Sequence, residues 1–317
     1  MLKVAMLSKW HVHARDYARQ INENPRAQVT CVWDENAQRG KEWANELGVP
    51  FYAGLSDALA NSDAVCVDTP TSMHREVITA AARAGKHVFT EKVLAFTVKE
   101  ATEIADEVKK AGVKFCISFP QRTFPVMLYV KQAVDSGALG DITLMRARNV
   151  HGGALLNRLP EYWYDPATTG GGAMMDLGAH PMYLSSWILG KPRRFSSAFS
   201  NFTPRAVEDH AVSLIEFESG AVSVVETSLV NPYSKRMLEV YGTKGAVLCE
   251  NDQVQVLTQD NGPIQGWVTP SALPKALPMP IELWVNGIMD GTEIPFGLTE
   301  AIALTELMEG AYKASKA

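Results

Sequence analysis

Short apolar runs alternate with longer amphipathic stretches over about the first 120 residues of the chain. Most of the runs Leu2–Leu7, Val29–Trp33, Ala64–Val67, His87–Thr90 and Lys114–Ser118 lack in–out alternation. That is the pattern of parallel strands buried on both faces. Between them, Asn36–Leu47, Ser72–Ala84 and Val98–Ala111 read as helices, stopped by Gly48, Gly85 and Gly112. Repeated strand–helix–strand units of this length predict a doubly wound α/β domain with a parallel sheet and right-handed crossovers. Ligands of such sheets bind beyond the carboxyl ends of the strands.

The pattern changes after about Pro120. A helix runs from about Pro125 to near Gly137, followed by a strand, Ile142–Val150, a loop rich in aromatics and glycine, and a helix from about Gly172 to Leu189. Alternating runs then flank glycine-bearing turns. Ala211–Phe217 and Ala221–Leu229 surround Ser219-Gly220, and Met237–Tyr241 and Ala246–Glu250 surround Thr243-Lys244-Gly245. Gln253–Thr258 follows Asn251-Asp252. These are hairpin signals, so this half predicts an α+β domain with a large, mostly antiparallel open sheet. Pro263, Pro270, Pro274, Pro278 and Pro280 break up a long irregular segment. The end is helical again, with Leu304, Leu307, Met308 and Ala311 on one face. The expected division is 1–120 for the first domain and 121–297 for the second, with a last helix at about 298–317 packed back on the first.

Composition narrows the function classes. The 317 residues exceed the usual size of one core, and the hydrophobic fraction of 46% is ordinary for a globular protein. A formal net charge of −5 argues against nucleic acid or an anionic membrane as partner. No apolar run approaches the ~20 residues of a membrane span, and the start reads as a strand, not a leader. Cys31, Cys66, Cys116 and Cys249 are far apart, as buried thiols of a reducing cytoplasm would be.

Four segments carry candidate chemistry. Asp34 ends the second strand, where an acid can hydrogen-bond the adenosine ribose hydroxyls of a dinucleotide; Glu35 follows, and two acids would repel a 2′-phosphate, favouring NAD over NADP. An N-cap for the next helix is the competing role. The first strand–helix loop, Ser8-Lys9-Trp10-His11-Val12-His13-Ala14, has no glycine, leaving backbone amides at the helix start to hold a pyrophosphate. His11 and His13 have no acid partner close in sequence and read as loop side chains, with no metal expected. Thr69-Pro70-Thr71-Ser72-Met73-His74 follows the third strand, with Ser72 as a possible cap. Thr90-Glu91-Lys92 follows the fourth, where a lysine can steady a developing alkoxide or be an ordinary surface cation. Finally, Asp176 and His180 stand four apart after Gly170-Gly171-Gly172, sharing one helical face among apolar neighbours. An imidazole beside a carboxylate is a plausible general base, and the glycines would let backbone approach a ligand. A buried, satisfied Asp–His pair is the alternative.

In this order, the segments resemble the glucose–fructose oxidoreductase/inositol dehydrogenase/rhizopine-catabolism (Gfo/Idh/MocA) oxidoreductases over nearly the whole chain. Thr69-Pro70-Thr71-Ser72-Met73-His74 is similar to that family's TP-x-x-x-H loop, and Ala84-Gly85-Lys86-His87-Val88-Phe89-Thr90-Glu91-Lys92 to its AGKHV-x-x-EK segment. Asp176-x-x-x-His180 and the C-terminal Pro295-Phe296-Gly297 and Ala311-Tyr312 complete the series. The resemblance implies a Rossmann-type domain and an NAD(P)-dependent dehydrogenase or reductase acting on a CH–OH group of a sugar, sugar derivative or cyclitol. It implies Lys92, Asp176 and His180 as catalytic residues, with His180 the acid/base. Ser8, Trp10, His11, Asp34, Thr69, Pro70, Ser72, His74, Glu91, Lys92 and Gln121 would line the cofactor cleft. Arg122, His151, Asn157, Tyr162 and Trp163, with Asp176 and His180, would meet the substrate. It also implies a homodimer or homotetramer in the cytoplasm. The chain departs from the family pattern in its glycine-free loop, in Val93 for the proline after Lys92, and in Tyr164 where many relatives carry arginine. A non-catalytic NAD(P)-binding sensor or regulatory protein of the same fold is the alternative.

Overall fold

The computed structural model describes residues 1–259 and 266–316; Pro263 and Ala317 lie outside the described residues. The chain divides into two compact units: residues 1–119 with 278–305, and 120–277 with 306–317.

The first unit holds five strands: β1 (Leu2–Leu7), β2 (Ala27–Trp33), β3 (Ala64–Val67), β4 (His87–Thr90) and β5 (Phe115–Ile117). All neighbours pair in parallel in the order β2-β1-β3-β4-β5. Val4 to Leu7 and Ala64 to Val67 are wholly buried, so the unbroken apolar runs have the predicted cause. Each such valine or leucine contributes about 2 kcal/mol by leaving water. Helices α1 (Ala14–Glu23), α2 (Ala37–Leu47), α3 (Leu55–Ala60), α4 (His74–Arg83) and α5 (Val98–Ala111) connect the strands. Gly48 and Gly112 take the left-handed conformation that closes α2 and α5, at φ 69° and 66°.

The second unit holds α6 (Pro125–Asp135), β6 (Ile142–Val150), α7 (Pro166–Thr169), a π-helical turn (Met174–Gly178), α8 (Ala179–Leu189), β7 (Pro192–Ser200), β8 (His210–Phe217), β9 (Val222–Ser228), β10 (Met237–Gly242), β11 (Gly245–Glu250) and β12 (Gln253–Thr258). The seven strands form one sheet in the order β12-β11-β10-β6-β9-β8-β7. Only β6 and β9 pair in parallel, and the three glycine- or asparagine-bearing turns close antiparallel hairpins as their sequences require.

The proline-rich segment contains a helix that its spacing conceals. Pro280 opens α9 (Pro280–Met289) at a first-turn position where its missing N–H costs nothing. Trp284 of α9 is wholly buried with its ring 5.7 Å from that of Phe89, which places α9 with the first unit rather than with residues 121–297. The last helix, α10 (Leu298–Ala314), buries Leu304, Leu307, Met308 and Ala311 as its stripe predicts. The division between units falls within it, so 298–317 does not belong to the first unit as a whole.

Candidate active site

Both acids at the end of β2 are already engaged. Asp34 is 3% exposed and accepts from the backbone N–H of Lys9 at 2.8 Å and of Asn36 at 2.8 Å. Arg39 adds Nε at 3.0 Å and Nη2 at 2.7 Å, so four donors meet the four lone-pair positions of one carboxylate. The same guanidinium pairs with Glu35 and reaches Ser8 Oγ at 3.2 Å. The N-cap of α2 is Asn36, not Asp34. Both acids of the sequence argument for NAD therefore carry an arginine between them, and the charge argument against a 2′-phosphate loses its premise.

The β1–α1 loop keeps a glycine-like turn without glycine. Ser8 is buried in the left-handed region at φ 79°, and its Oγ accepts the N–H of Trp10 at 3.0 Å. The N–H of His11 bonds the carbonyl of Asp68, that of His13 the Nδ1 of His11, and that of Ala14 the carbonyl of His11. The amides expected to cradle a pyrophosphate are thus largely engaged, within the loop and with Trp33, Asp34 and Asp68.

Side chains gather where those amides would act. Glu91, 1% exposed at the end of β4, accepts at Oε1 from Tyr17 and meets His13 Nδ1 at 2.7 Å; His11 Nδ1 lies 3.6 Å away. Its Oε2 accepts the N–H of Lys92 at 2.8 Å. Burial by itself would raise this carboxyl, but the His11 and His13 imidazoles and Lys92 outweigh it and hold Glu91 well below the usual range. Beside it, Asp68 at the end of β3 is fully buried, and burial together with the Glu91 charge pushes its carboxyl well up. Asp68 Oδ1 and Thr69 Oγ1 are buried with no hydrogen-bond partner. Orphaned polar atoms at the carboxyl edge of a parallel sheet suit a polar ligand, so this edge fits a dinucleotide. Asp68 escapes notice in the sequence because it continues an apolar strand.

Other residues of this half take roles different from those predicted. His74 is 1% exposed, with Nδ1 and Nε2 each 3.2 Å from the carbonyls of Leu94 and Thr69. It ties the loop after β3 to the loop after β4. Ser72 is exposed and caps no helix. Pro70 precedes the 3-10 turn Thr71–Met73. Lys92 is 6% exposed, so it is no surface lysine, and the Lys92–Val93 peptide is cis.

In the second unit, Asp176 lies within the π turn and His180 in the first turn of α8. Asp176 Oδ2 accepts from Trp163 Nε1 at 3.4 Å. His180 Nδ1 lies 3.0 Å from Tyr183 Oη, which accepts the N–H of Gln121 at 3.1 Å. Tyr183 is the orienting residue that motif reading missed, three positions after His180. The Tyr183 hydroxyl thus holds the imidazole at Nδ1.

Gly170 closes α7 in the left-handed conformation at φ 76°, and the other two glycines have a packing cause. A Cβ on Gly171 would stand 1.9 Å from Tyr312 Oη, and one on Gly172 1.9 Å from the Glu208 carbonyl. Tyr312 donates to Glu208 Oε1 at 2.6 Å and accepts from Met175 N, while Met174 N donates to the same Oε1 at 3.1 Å. The glycines let this clamp close on the start of the π turn. Burial raises the Glu208 carboxyl, and the Tyr312 hydroxyl and nearby amides offset only part of that.

The loop of residues 151–164 is held by Arg205, which donates to Glu161 Oε2 at 2.6 Å and Asn157 Oδ1 at 2.8 Å. Its guanidinium lies 4.3 Å over the Tyr164 ring, and Tyr164 is buried in an apolar cluster with Leu177, Val207 and Leu229. Tyr164 is therefore a core residue. Trp163 is buried, while Tyr162 and His151 are exposed. Arg122 is buried 4.7 Å over the Trp187 ring. All four cysteines are buried free thiols, with Cys249 pushed up to about 12 by burial. Among the described residues, no helix is long and apolar enough to cross a membrane.

Comparison with known proteins places this geometry. Residues 11–119 match the family model described as an oxidoreductase family with an NAD-binding Rossmann fold, and residues 127–248 match the GFO/IDH/MocA C-terminal domain. The chain is 30% identical over 248 residues to myo-inositol 2-dehydrogenase of Thermotoga maritima, covering 73% of this chain and 71% of that protein. It is 28% identical to the NAD(+) scyllo-inositol 2-dehydrogenase of Bacillus subtilis, covering 75% and 69%. The crystal structure of GenD2 from gentamicin A biosynthesis, in complex with NAD, superposes with a TM-score of 0.83 at 26% identity, covering 99% of this chain and 94% of that one. The chain belongs to the GFO/IDH/MocA oxidoreductase family and is an NAD(P)-dependent enzyme acting on CH–OH donors.

Proposed function

We propose that the protein interconverts a secondary hydroxyl and a ketone on a sugar, sugar derivative or cyclitol. The observation that carries this reading is the anchored imidazole of His180, fixed at Nδ1 by Tyr183 and Gln121 so that Nε2 handles the proton. In the oxidising direction, the hydroxyl proton passes to His180 Nε2, the carbinol hydrogen leaves as hydride, and a carbonyl forms. Lys92 holds the oxygen as negative charge develops on it. Asp176, held by Trp163, orients a substrate hydroxyl. The nicotinamide, when bound, supplies the hydride acceptor or donor. Thr69 Oγ1 and the groups around Asp34 would hold the dinucleotide, with Arg39 deciding between NAD and NADP.

The inositol dehydrogenases among the relatives support a cyclitol as the first substrate class to screen. Assembly into a homodimer or homotetramer through the second sheet is part of the same proposal, and light scattering tests it. Turnover of sugars and cyclitols with NAD and NADP, in wild type and His180→Ala, tests the chemistry. A wild-type rate in the variant overturns the role of His180.

A further inference from the structure

The sequence gives His11 and His13 no acid partner, but the fold supplies one. Glu91, 78 positions from His13, brings one carboxylate oxygen to both imidazoles. The three potential ligand atoms lie within 4.8 Å of one another. We propose that His11, His13 and Glu91 form a binding site for a divalent transition-metal ion of the zinc class at the end of β1.

Four observations carry the site. Two imidazoles and one carboxylate are a donor set suited to zinc, leaving a fourth position open for water or a ligand oxygen. Tetrahedral zinc spaces its N and O ligands by about 3.4 Å, so shifts on the order of 1 Å complete the set. The His13 side chain is 47% exposed and can make that adjustment, while His11 and Glu91 are held at 5% and 2%. Finally, a second wholly buried carboxyl, Asp68, stands beside Glu91 with Oδ1 lacking a partner. A metal-bound water would give Asp68 Oδ1 the partner that it lacks. Loop amides that would otherwise supply positive character here already donate to Ser8 and His11 within the loop and to Trp33, Asp34 and Asp68 beside it.

Chelator-treated full-length protein titrated with Zn²⁺ by calorimetry, and with Co²⁺ by visible absorption, tests the site. The expected result is one saturable equivalent, tetrahedral-type Co²⁺ bands, and at least about tenfold weaker binding in His13→Ala and Glu91→Gln. His13→Ala removes a half-exposed side chain, so it remains informative even if Glu91→Gln fails to fold. Absence of saturable binding, or a His13→Ala variant that binds as tightly as wild type, overturns the site. The cluster is then a hydrogen-bonded His–Glu–Tyr network alone.

Discussion

Arg39 donates from Nε and Nη2 to both oxygens of Asp34, at 3.0 and 2.7 Å, and so covers the acid that ends β2. A ribose diol reaches Asp34 only by displacing this guanidinium, whereas a 2′-phosphate would be met by it. Arg39→Ala is expected to raise the ratio of NADPH to NADH dissociation constants by about tenfold or more, the scale of one charge-assisted hydrogen bond. Quenching of tryptophan fluorescence during titration with each cofactor reads this directly. An unchanged ratio would remove Arg39 from cofactor selection.

Tyr183 fixes His180 at Nδ1 and receives the Gln121 amide. Tyr183→Phe keeps the aromatic ring but removes this hydrogen bond to the imidazole. Turnover should fall by about tenfold, the worth of one positioning hydrogen bond, with NADH affinity unchanged. Equal loss in turnover and cofactor affinity would point to general damage instead.

The Glu208–Tyr312 clamp gives a pH-dependent prediction with a definite sign. Burial raises the Glu208 carboxyl in the folded chain above its unfolded value. The folded state therefore binds this proton more tightly, and the contribution is present below the unfolded pKa and lost as pH rises through the folded one. Glu208→Gln cannot ionise and keeps an acceptor for Tyr312. Its melting temperature relative to wild type should climb as pH rises above the ordinary carboxylate range. A constant difference would show that the carboxyl titrates alike in both states.

Gly172→Ala tests the packing account of the glycine cluster. The added Cβ meets backbone, the Glu208 carbonyl, at 1.9 Å, and nothing flexible can yield. A loss of about 3 kcal/mol in chemical denaturation is expected. A neutral substitution would return the glycines to the role of admitting a ligand.

Much of this molecule is legible in its residues. Val4–Leu7 and Ala64–Val67 are apolar without alternation because both faces of their sheet are covered, and Gly48 and Gly112 mark helix ends because the left-handed cap favours glycine. What stayed hidden depends on contacts distant in sequence. Asp34 reads as a free acid until Arg39 folds over it. His11 and His13 read as loop residues until β4 delivers Glu91. Gly171 and Gly172 suggest a ligand until Tyr312 and Glu208 appear against them. Pro280 reads as a breaker although it opens α9, and no periodicity in residues 172–189 announces the π turn that holds Asp176.

The central claim is that His180 moves the substrate proton without holding the cofactor. NADH binding and turnover measured side by side in His180→Ala test it most directly. The account predicts cofactor affinity within about twofold of wild type and turnover lowered by at least about a hundredfold. Turnover at the wild-type level, with cofactor still bound, would contradict it.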